Sequence, residues 1–294
     1  MHESCKLKGQ PLIPTRLLYL GDERVRLLVP ADLPSRPKYA TLSHCWGNLS
    51  FVTLKKSSLA SFREVIPDNT LTKTFLDAIY IARFLDIEYL WIDSLCIIQD
   101  DKDDWPHESS LMGSVYGGSV VTIAAAVALD GRSGCFRDRK ETWRCRARPR
   151  PHPMVDREIT YDFSCVDIKS DAHRVSPLCS RGWTFQEQIL SPRTLSFNET
   201  EVFWEFHEHT ACESLPFGTG SCDINDRWQI GQLSRMRTLD YSWTTVIKEY
   251  SKRKLTKNSD KLVAISILAR LEHQKTNDTY VAGLWHKDLE KQLF

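Results

Sequence analysis

Tyr39-Ala-Thr-Leu-Ser43, the span from Thr72 to Leu85, and Tyr89-Leu-Trp-Ile-Asp93 are the stretches whose reading decides the fold. The first is a compact apolar run halted by His44-Cys45-Trp46-Gly47, which reads as a buried strand ending in a loop. In the second, Phe75, Ala78, Ile79, Ala82 and Leu85 recur at three and four, so they share one face of a helix. The third is continuously apolar and too short for a helix, as suits a strand of a parallel sheet. Strand, helix, strand makes one βαβ unit. Working outward, Asp103 and Asp104 precede Trp105-Pro106, a cap residue followed by proline in the first turn. Leu111, Met112, Val115 and Tyr116 then supply a buried stripe, so a second helix is predicted to run to about Tyr116 and to be broken by Gly117-Gly118. Val120 to Ala125 is rich in β-branched residues and reads as a third strand. The alternation predicts an α/β fold with a short, mainly parallel, doubly wound sheet flanked by helices. The three strands should be neighbours, joined by a right-handed crossover, with the Thr72–Leu85 helix packed against them.

The remainder decorates that unit. Arg16 to Leu20 and Val25 to Val29, separated by Gly21-Asp22, read as a β-hairpin. Residues 132–180 form an inserted loop region, basic and Pro-bearing from Arg132 to Pro153, longer than ordinary connections. Pattern returns at Arg181-Gly-Trp-Thr-Phe-Gln-Glu187, a short helix, followed by strand-like Thr194 to Phe197 and Glu201 to Glu205, a second hairpin. C-terminal helices are predicted over Tyr241–Ser251 and Asp260–Leu271, the latter from Leu262, Ile265 and Leu268. No linker divides the chain, so residues 1–294 read as one domain.

Composition narrows the function classes. With 41% hydrophobic residues the chain can bury a sizeable core. Its 39 basic and 38 acidic side chains nearly cancel, so no overall field favours nucleic acid or an anionic membrane. The longest apolar stretch, Val120 to Leu129, is about half of the roughly 20 residues a membrane helix needs, so no membrane span is expected. The start lacks a signal pattern, which leads us to expect a cytoplasmic protein with free thiols. Nine cysteines with no Cys-x-x-Cys pair suggest neither a disulfide framework nor a zinc ribbon. His207, His209 and Cys212 lie close enough to tempt a metal reading, but they lack a regularly spaced fourth ligand, and no metal is expected. His44 beside Cys45 invites a thiol-protease reading, yet neighbours in a strand point to opposite faces. Gly117-Gly118 ends a helix rather than opening one, the reverse of a phosphate cradle.

Leu42-Ser-His-Cys-Trp-Gly47, Tyr89-Leu-Trp-Ile-Asp-Ser-Leu-Cys-Ile-Ile-Gln-Asp100 and Arg181-Gly-Trp-Thr-Phe-Gln-Glu187 with Ser191-Pro-Arg193 resemble the fungal heterokaryon-incompatibility (HET) family. Asp104-Trp105 with Glu108 and Met112, and Tyr250-Ser-x-Arg253 with Asp260-Lys261, extend the likeness over roughly residues 39–285. His44 departs from the aromatic residue more usual there. The resemblance implies self/non-self recognition and induced cell death. The strand ends at Ser43 and Asp93, with Trp183-x-x-x-Glu187, also resemble Toll/interleukin-1 receptor (TIR) domains, several of which hydrolyse NAD. Thr184 stands where that family has a cysteine. A TIR-like fold would make Glu187 the essential carboxylate.

Cleaving the nicotinamide–ribose bond passes through an oxocarbenium-like sugar, which one well-placed anion can stabilise. Glu187 fits that role, with Trp183 one turn earlier on its helix. Ligands of open parallel sheets gather beyond the carboxyl ends of the strands, where Ser43, His44, Trp46, Asp93 and Ser94 fall. Hydroxyls and carboxylates there can bond a ribose, an indole can stack on a base, and Arg181 can meet a phosphate. Plainer roles stand beside these: Trp46 and Trp183 as core, Asp93 as the cap of the next turn, and Glu187 paired with Arg193 or Arg181. Three functions remain open: an NAD-hydrolysing death effector switched on by self-association, a non-catalytic self-associating signalling module, and a stand-alone enzyme acting on another small molecule. No cofactor is expected, and NAD or a related nucleotide enters as substrate.

Overall fold

The computed structural model describes residues 13–138, 144–147, 161–164, 176–199, 201–206, 210–213, 216 and 242–293. The strands in chain order are β1 (Leu17–Tyr19), β2 (Arg26–Leu28), β3 (Tyr39–Ser43), β4 (Tyr89–Trp91), β5 (Val121–Ala124), β6 (Arg144–Ala147), β7 (Tyr161–Ser164), β8 (Arg193–Phe197), β9 (Val202–Phe206) and β10 (Thr210–Cys212), with the short pair β11 (Tyr280–Val281) and β12 (Leu284–Trp285) near the end. The helices are α1 (Leu59–Glu64), α2 (Lys73–Phe84), α3 (Asp93–Cys96), α4 (Asp104–Gly118), α5 (Trp183–Leu190), α6 (Trp243–Ser251), α7 (Ser266–Thr276) and α8 (Leu289–Leu293).

One sheet runs β10-β9-β8-β5-β3-β4-β1-β2. Its centre is parallel: β3 pairs with β4 on one side and β5 on the other, and β5 pairs with β8. The three apolar runs are therefore adjacent parallel strands, with Thr41 opposite both Trp91 and Thr122. The edges are antiparallel, since β1 joins β4 and β9 joins β8. β6 and β7 form a separate antiparallel pair within the inserted region.

Leu42, Leu90, Ile92 and Ile123 of the parallel strands and their extensions are fully buried, and α2 covers them with Phe75, Ala78, Ile79 and Ala82. Met112, Val115 and Tyr116 of α4 join the same core. A second cluster gathers Phe185 and Ile189 of α5 with Trp243, Val246, Tyr250, Leu268 and Trp285. Trp183 touches both clusters, so α5 is gripped between the sheet layer and the C-terminal helices.

Several boundaries differ from expectation. β4 stops at Trp91, and Asp93 opens the α3 turn, which buries Leu95 and Cys96. Gly117 and Gly118 complete α4 instead of breaking it, because the cap is Ser119, whose hydroxyl donates to the Tyr116 carbonyl at 2.8 Å. Asp103 makes no side-chain cap, and Asp104 instead accepts from Arg16 Nη2 at 2.6 Å and from the Ile98 amide at 2.7 Å. The helix expected over Asp260–Leu271 is two 3-10 turns followed by α7. There the Tyr250 hydroxyl donates to the Lys261 carbonyl at 2.6 Å, and a side chain inserted into the backbone ladder breaks a helix. Leu262 is consequently exposed. β10, three half-buried residues without an apolar pattern of their own, becomes a strand by pairing with β9 from Thr210↔Glu205 to Cys212↔Phe203. Tyr241, the expected first residue of α6, lies outside the described residues. Among the described residues no helix is long and apolar enough to cross a membrane.

Candidate active site

β3 is first in the chain among the four parallel strands, yet it lies inside the sheet. From it the chain passes through α2 to β4 on one flank, then through α4 to β5 on the other, and onward to β8. Sheet growth therefore changes direction between β3 and β5. At such a switch point the flanking connections diverge and leave a crevice at the carboxyl ends of the strands. Ser43 is the last residue of β3, and its carbonyl accepts from the Ala125 amide at 3.0 Å, which holds the two strand ends together.

Glu187 comes to this point on α5. The Ser43 hydroxyl donates to Glu187 Oε2 at 2.5 Å across 144 positions of sequence. The Tyr116 hydroxyl lies within hydrogen-bonding range of the same carboxylate and 3.1 Å from the Leu42 carbonyl, so one proton serves two acceptors. Only 6% of Glu187 is exposed. Burial pushes its carboxyl up to about 7; the Ser43 bond and the charge of Arg181 oppose the rise, and the charge of Asp93 adds to it. Neutral pH thus falls at the titration midpoint of this group.

Asp93 is clamped beside it. Its Oδ2 accepts from Trp46 Nε1 at 2.8 Å and its Oδ1 from the Ser94 amide at 2.7 Å, so it does bond the turn it opens. His44 Nδ1 stands 3.9 Å from Oδ1. The imidazole is buried and packs edge-on against Phe75 with ring centroids 5.2 Å apart, and burial depresses its pKa despite Asp93. His44 Nε2 and Ser94 Oγ are buried without a hydrogen-bond partner. Gly47 sets the loop that presents Trp46: its φ is +66°, and a Cβ there would come within 2.5 Å of Asp130 Cβ.

Arg181 donates from Nη1 to the His44 carbonyl at 2.6 Å and bonds the Cys45 thiol, so it ties the β3 loop to the start of α5. Glu187 meets neither arginine in the manner of a simple surface ion pair, since Arg193 donates to the Val120 carbonyl at 3.3 Å. The strap after α6 fastens the same corner. The Lys254 amide donates to the Ser180 carbonyl at 2.6 Å and the Gly182 amide to the Lys254 carbonyl at 2.7 Å. Arg253 donates to Thr184 Oγ1 at 3.2 Å and Gln188 Oε1 at 3.0 Å, with its guanidinium 4.6 Å above the Phe185 ring.

Ser43, His44, Trp46, Asp93, Ser94, Arg181 and Glu187 are thus assembled at one corner of the fold. The half-buried Trp183 ring, one turn before Glu187, packs edge-on against Trp105 with ring centroids 6.2 Å apart. Sequence reasoning missed Tyr116, taken only as core, and Arg253, noticed only as a motif residue. The signal for Tyr116 was its hydroxyl, which a buried tyrosine must satisfy. No cluster of three metal-ligating side chains occurs among the described residues. His207 and His209 lie outside those residues, and Cys212 sits in β10.

The family model described as Heterokaryon incompatibility protein (HET) matches residues 39–187, from the first residue of β3 to the carboxylate at the switch point. The chain belongs to the HET family. This HET domain therefore has a heterokaryon-incompatibility-related function, and the matched span begins and ends on elements that build the corner just described. No curated protein and no solved structure matches the chain.

Proposed function

We propose that this HET domain hydrolyses NAD at the nicotinamide–ribose bond and that the reaction is the chemical arm of an incompatibility cell-death response. The observation that supports it is the Glu187 carboxylate at the switch point, bonded by Ser43 and set beside the Asp93–Trp46 pair. In this reaction the bond from ribose C1′ to the nicotinamide nitrogen breaks, and its electron pair leaves with neutral nicotinamide. Water then adds to C1′ and loses a proton, giving ADP-ribose. Ionised Glu187 stabilises the cationic sugar, and a preorganised charge in a low-dielectric site does so without reorganising. Asp93 and Ser43 offer acceptors and a donor for ribose hydroxyls, Trp46 offers an indole face, and Arg181 offers charge to the phosphates. The likeness of Trp183-x-x-x-Glu187 to TIR enzymes points the same way.

The test is to incubate the purified chain with NAD, dilute and concentrated, and to follow nicotinamide release by chromatography. Release that depends on Glu187 supports the proposal; its absence under both conditions refutes it. One observation favours a second reading, a non-catalytic self-associating module: Glu187 is 94% withdrawn from solvent, and its bonding is already taken up by Ser43 and Tyr116. In that reading the carboxylate locks α5 to β3, and assembly is the signal.

A further inference from the structure

Arg253 lies beyond the span that the family model matches, on the strap that follows α6, yet its side chain reaches back to the helix that carries Glu187. Its Nη1 donates to Thr184 Oγ1 at 3.2 Å and its Nη2 to Gln188 Oε1 at 3.0 Å. Thr184 and Gln188 are four apart, so they stand one above the other on a single face of α5. Both recipients are held in turn. The Thr184 hydroxyl shares its proton between the carbonyls of Leu178 and Arg181, each at 2.8 Å, and Gln188 Nε2 donates to Cys179 Sγ at 3.2 Å. The arginine is fixed on its own side as well: its amide donates to the Tyr250 carbonyl at 2.9 Å, and the next amide, that of Lys254, to the Ser180 carbonyl at 2.6 Å.

A grip at one point leaves a helix free to turn about that point, whereas a planar fork on two residues a turn apart fixes both its rotation and its slide. At 3.6 residues per turn, Glu187 projects about 80° round the axis from the gripped face, and its carboxyl ends roughly 5–6 Å from the axis. A rotation of α5 by about 10° therefore carries the carboxyl about 1 Å sideways. The Ser43 bond to Glu187, at 2.5 Å, does not survive such a displacement. Charge alone does not account for the arginine. The cation that bears most on Glu187 is Arg181, while Arg253 feels Cys179, Glu187 and Glu249 together. A lysine would bring the same charge without the fork.

We propose that Arg253 is a positioning residue for Glu187: its fork sets the rotation of α5 and so holds the carboxylate on Ser43, which makes the C-terminal layer a working part of the site. The placement rests on geometry alone, and only its effect on turnover rests on the NAD reading.

The test is carbon NMR of the purified chain with labelled glutamate carboxyls, the Glu187 signal being the one lost in Glu187→Gln. Arg253→Lys keeps the charge and removes the fork. It should raise the proton affinity of Glu187 about tenfold, the order of one hydrogen bond to a charged group, because the Ser43 bond opposes the upward push of burial. In a Ser43→Ala background the same substitution should move the titration less than about twofold, since the bond it acts through is already gone. In turnover, Arg253→Lys should lower kcat by about 10²-fold at nearly constant KM. An unchanged Glu187 titration in folded Arg253→Lys overturns the proposal. So does an equal shift with and without Ser43, which would make Arg253 a packing residue. Should Arg253→Lys fail to fold, Gln188→Ala removes one prong's partner and decides by the same titration, with a smaller rise expected and no rise overturning the role. A chain that releases no nicotinamide refutes the NAD reading alone, and the titration still decides the role of Arg253.

Discussion

Replacing Glu187 with glutamine separates the electrical cost of that carboxylate from its packing. The amide is nearly isosteric with the protonated acid. Ser43 and Tyr116 carry hydroxyls that can donate or accept, so either can turn to receive the new N–H. An unfolded glutamate titrates near 4.5, whereas burial holds folded Glu187 up to about 7. Between those two values the folded chain keeps a proton that the unfolded chain has lost, so stability falls as pH rises through this window. A gap of that size corresponds to about 3 kcal/mol, lost by pH 8 and fully regained below pH 4.5. Glu187→Gln carries no such group. It should match the unaltered protein near pH 4.5 and exceed it near pH 8 by about 3 kcal/mol, or about 6 °C in melting temperature for a chain of this size. The assay is paired thermal melting of both proteins across that range, because every other titrating group cancels in the difference. A difference that stays flat with pH, or a variant less stable at pH 8, would refute the account of a carboxyl held neutral by burial.

The same substitution should lower nicotinamide release by about 10²–10³, and release by the unaltered protein should rise with pH through about 7 as Glu187 ionises; a pH-independent rate would contradict the role. Glu108→Gln is the control: Glu108 is 1% exposed, accepts from Thr15 and lies 3.3 Å from Arg16 Nη2, so denaturant titration should show a loss of about 1–3 kcal/mol while turnover per folded molecule stays unchanged. Phe75→Ala removes a fully buried ring that supports His44 and Phe51, and should cost about 3–5 kcal/mol by the same titration. Gly47→Ala forces a Cβ onto Asp130 at a left-handed backbone position; a stability loss under about 1 kcal/mol would show that the loop yields easily.

The parallel centre of the sheet was legible because each element there announces itself locally. β3, β4 and β5 are short continuous apolar runs, and α2 repeats its buried residues at three and four. What was not legible is decided by distant partners. α3 follows directly on the apolar stretch that makes β4, where Asp93-Ser94 alone marks the change, and it turns to bury Leu95 and Cys96. β10 exists through its pairing with β9, and the break before α7 through a hydroxyl eleven residues away on Tyr250. The site shows the same division. Strand ends pointed to Ser43 and Asp93 on general grounds, but the bond from Ser43 to Glu187 spans 144 positions, and only family resemblance linked the two in advance. Tyr116 and Arg253 enter the corner through their polar tips, while their spacing marks only the apolar faces from which they project.

The long excursion between β5 and α5 leaves and returns through one doorway. The Ser176 hydroxyl donates to the Ala126 carbonyl at 2.6 Å, and the Leu178 amide reaches the same carbonyl at 3.4 Å. The outgoing side is anchored as well, since the Cys135 amide donates to Asp77 at 2.7 Å and the Thr74 amide to the Gly131 carbonyl at 2.9 Å. With both posts of the doorway bolted to the frame, the sheet fixes where the chain leaves and where it returns. Doubling such a detour adds only about 0.6 kcal/mol of closure entropy. The hydrogen bonds at both ends of this connection thereby hold β5, β8 and the carboxylate between them in register.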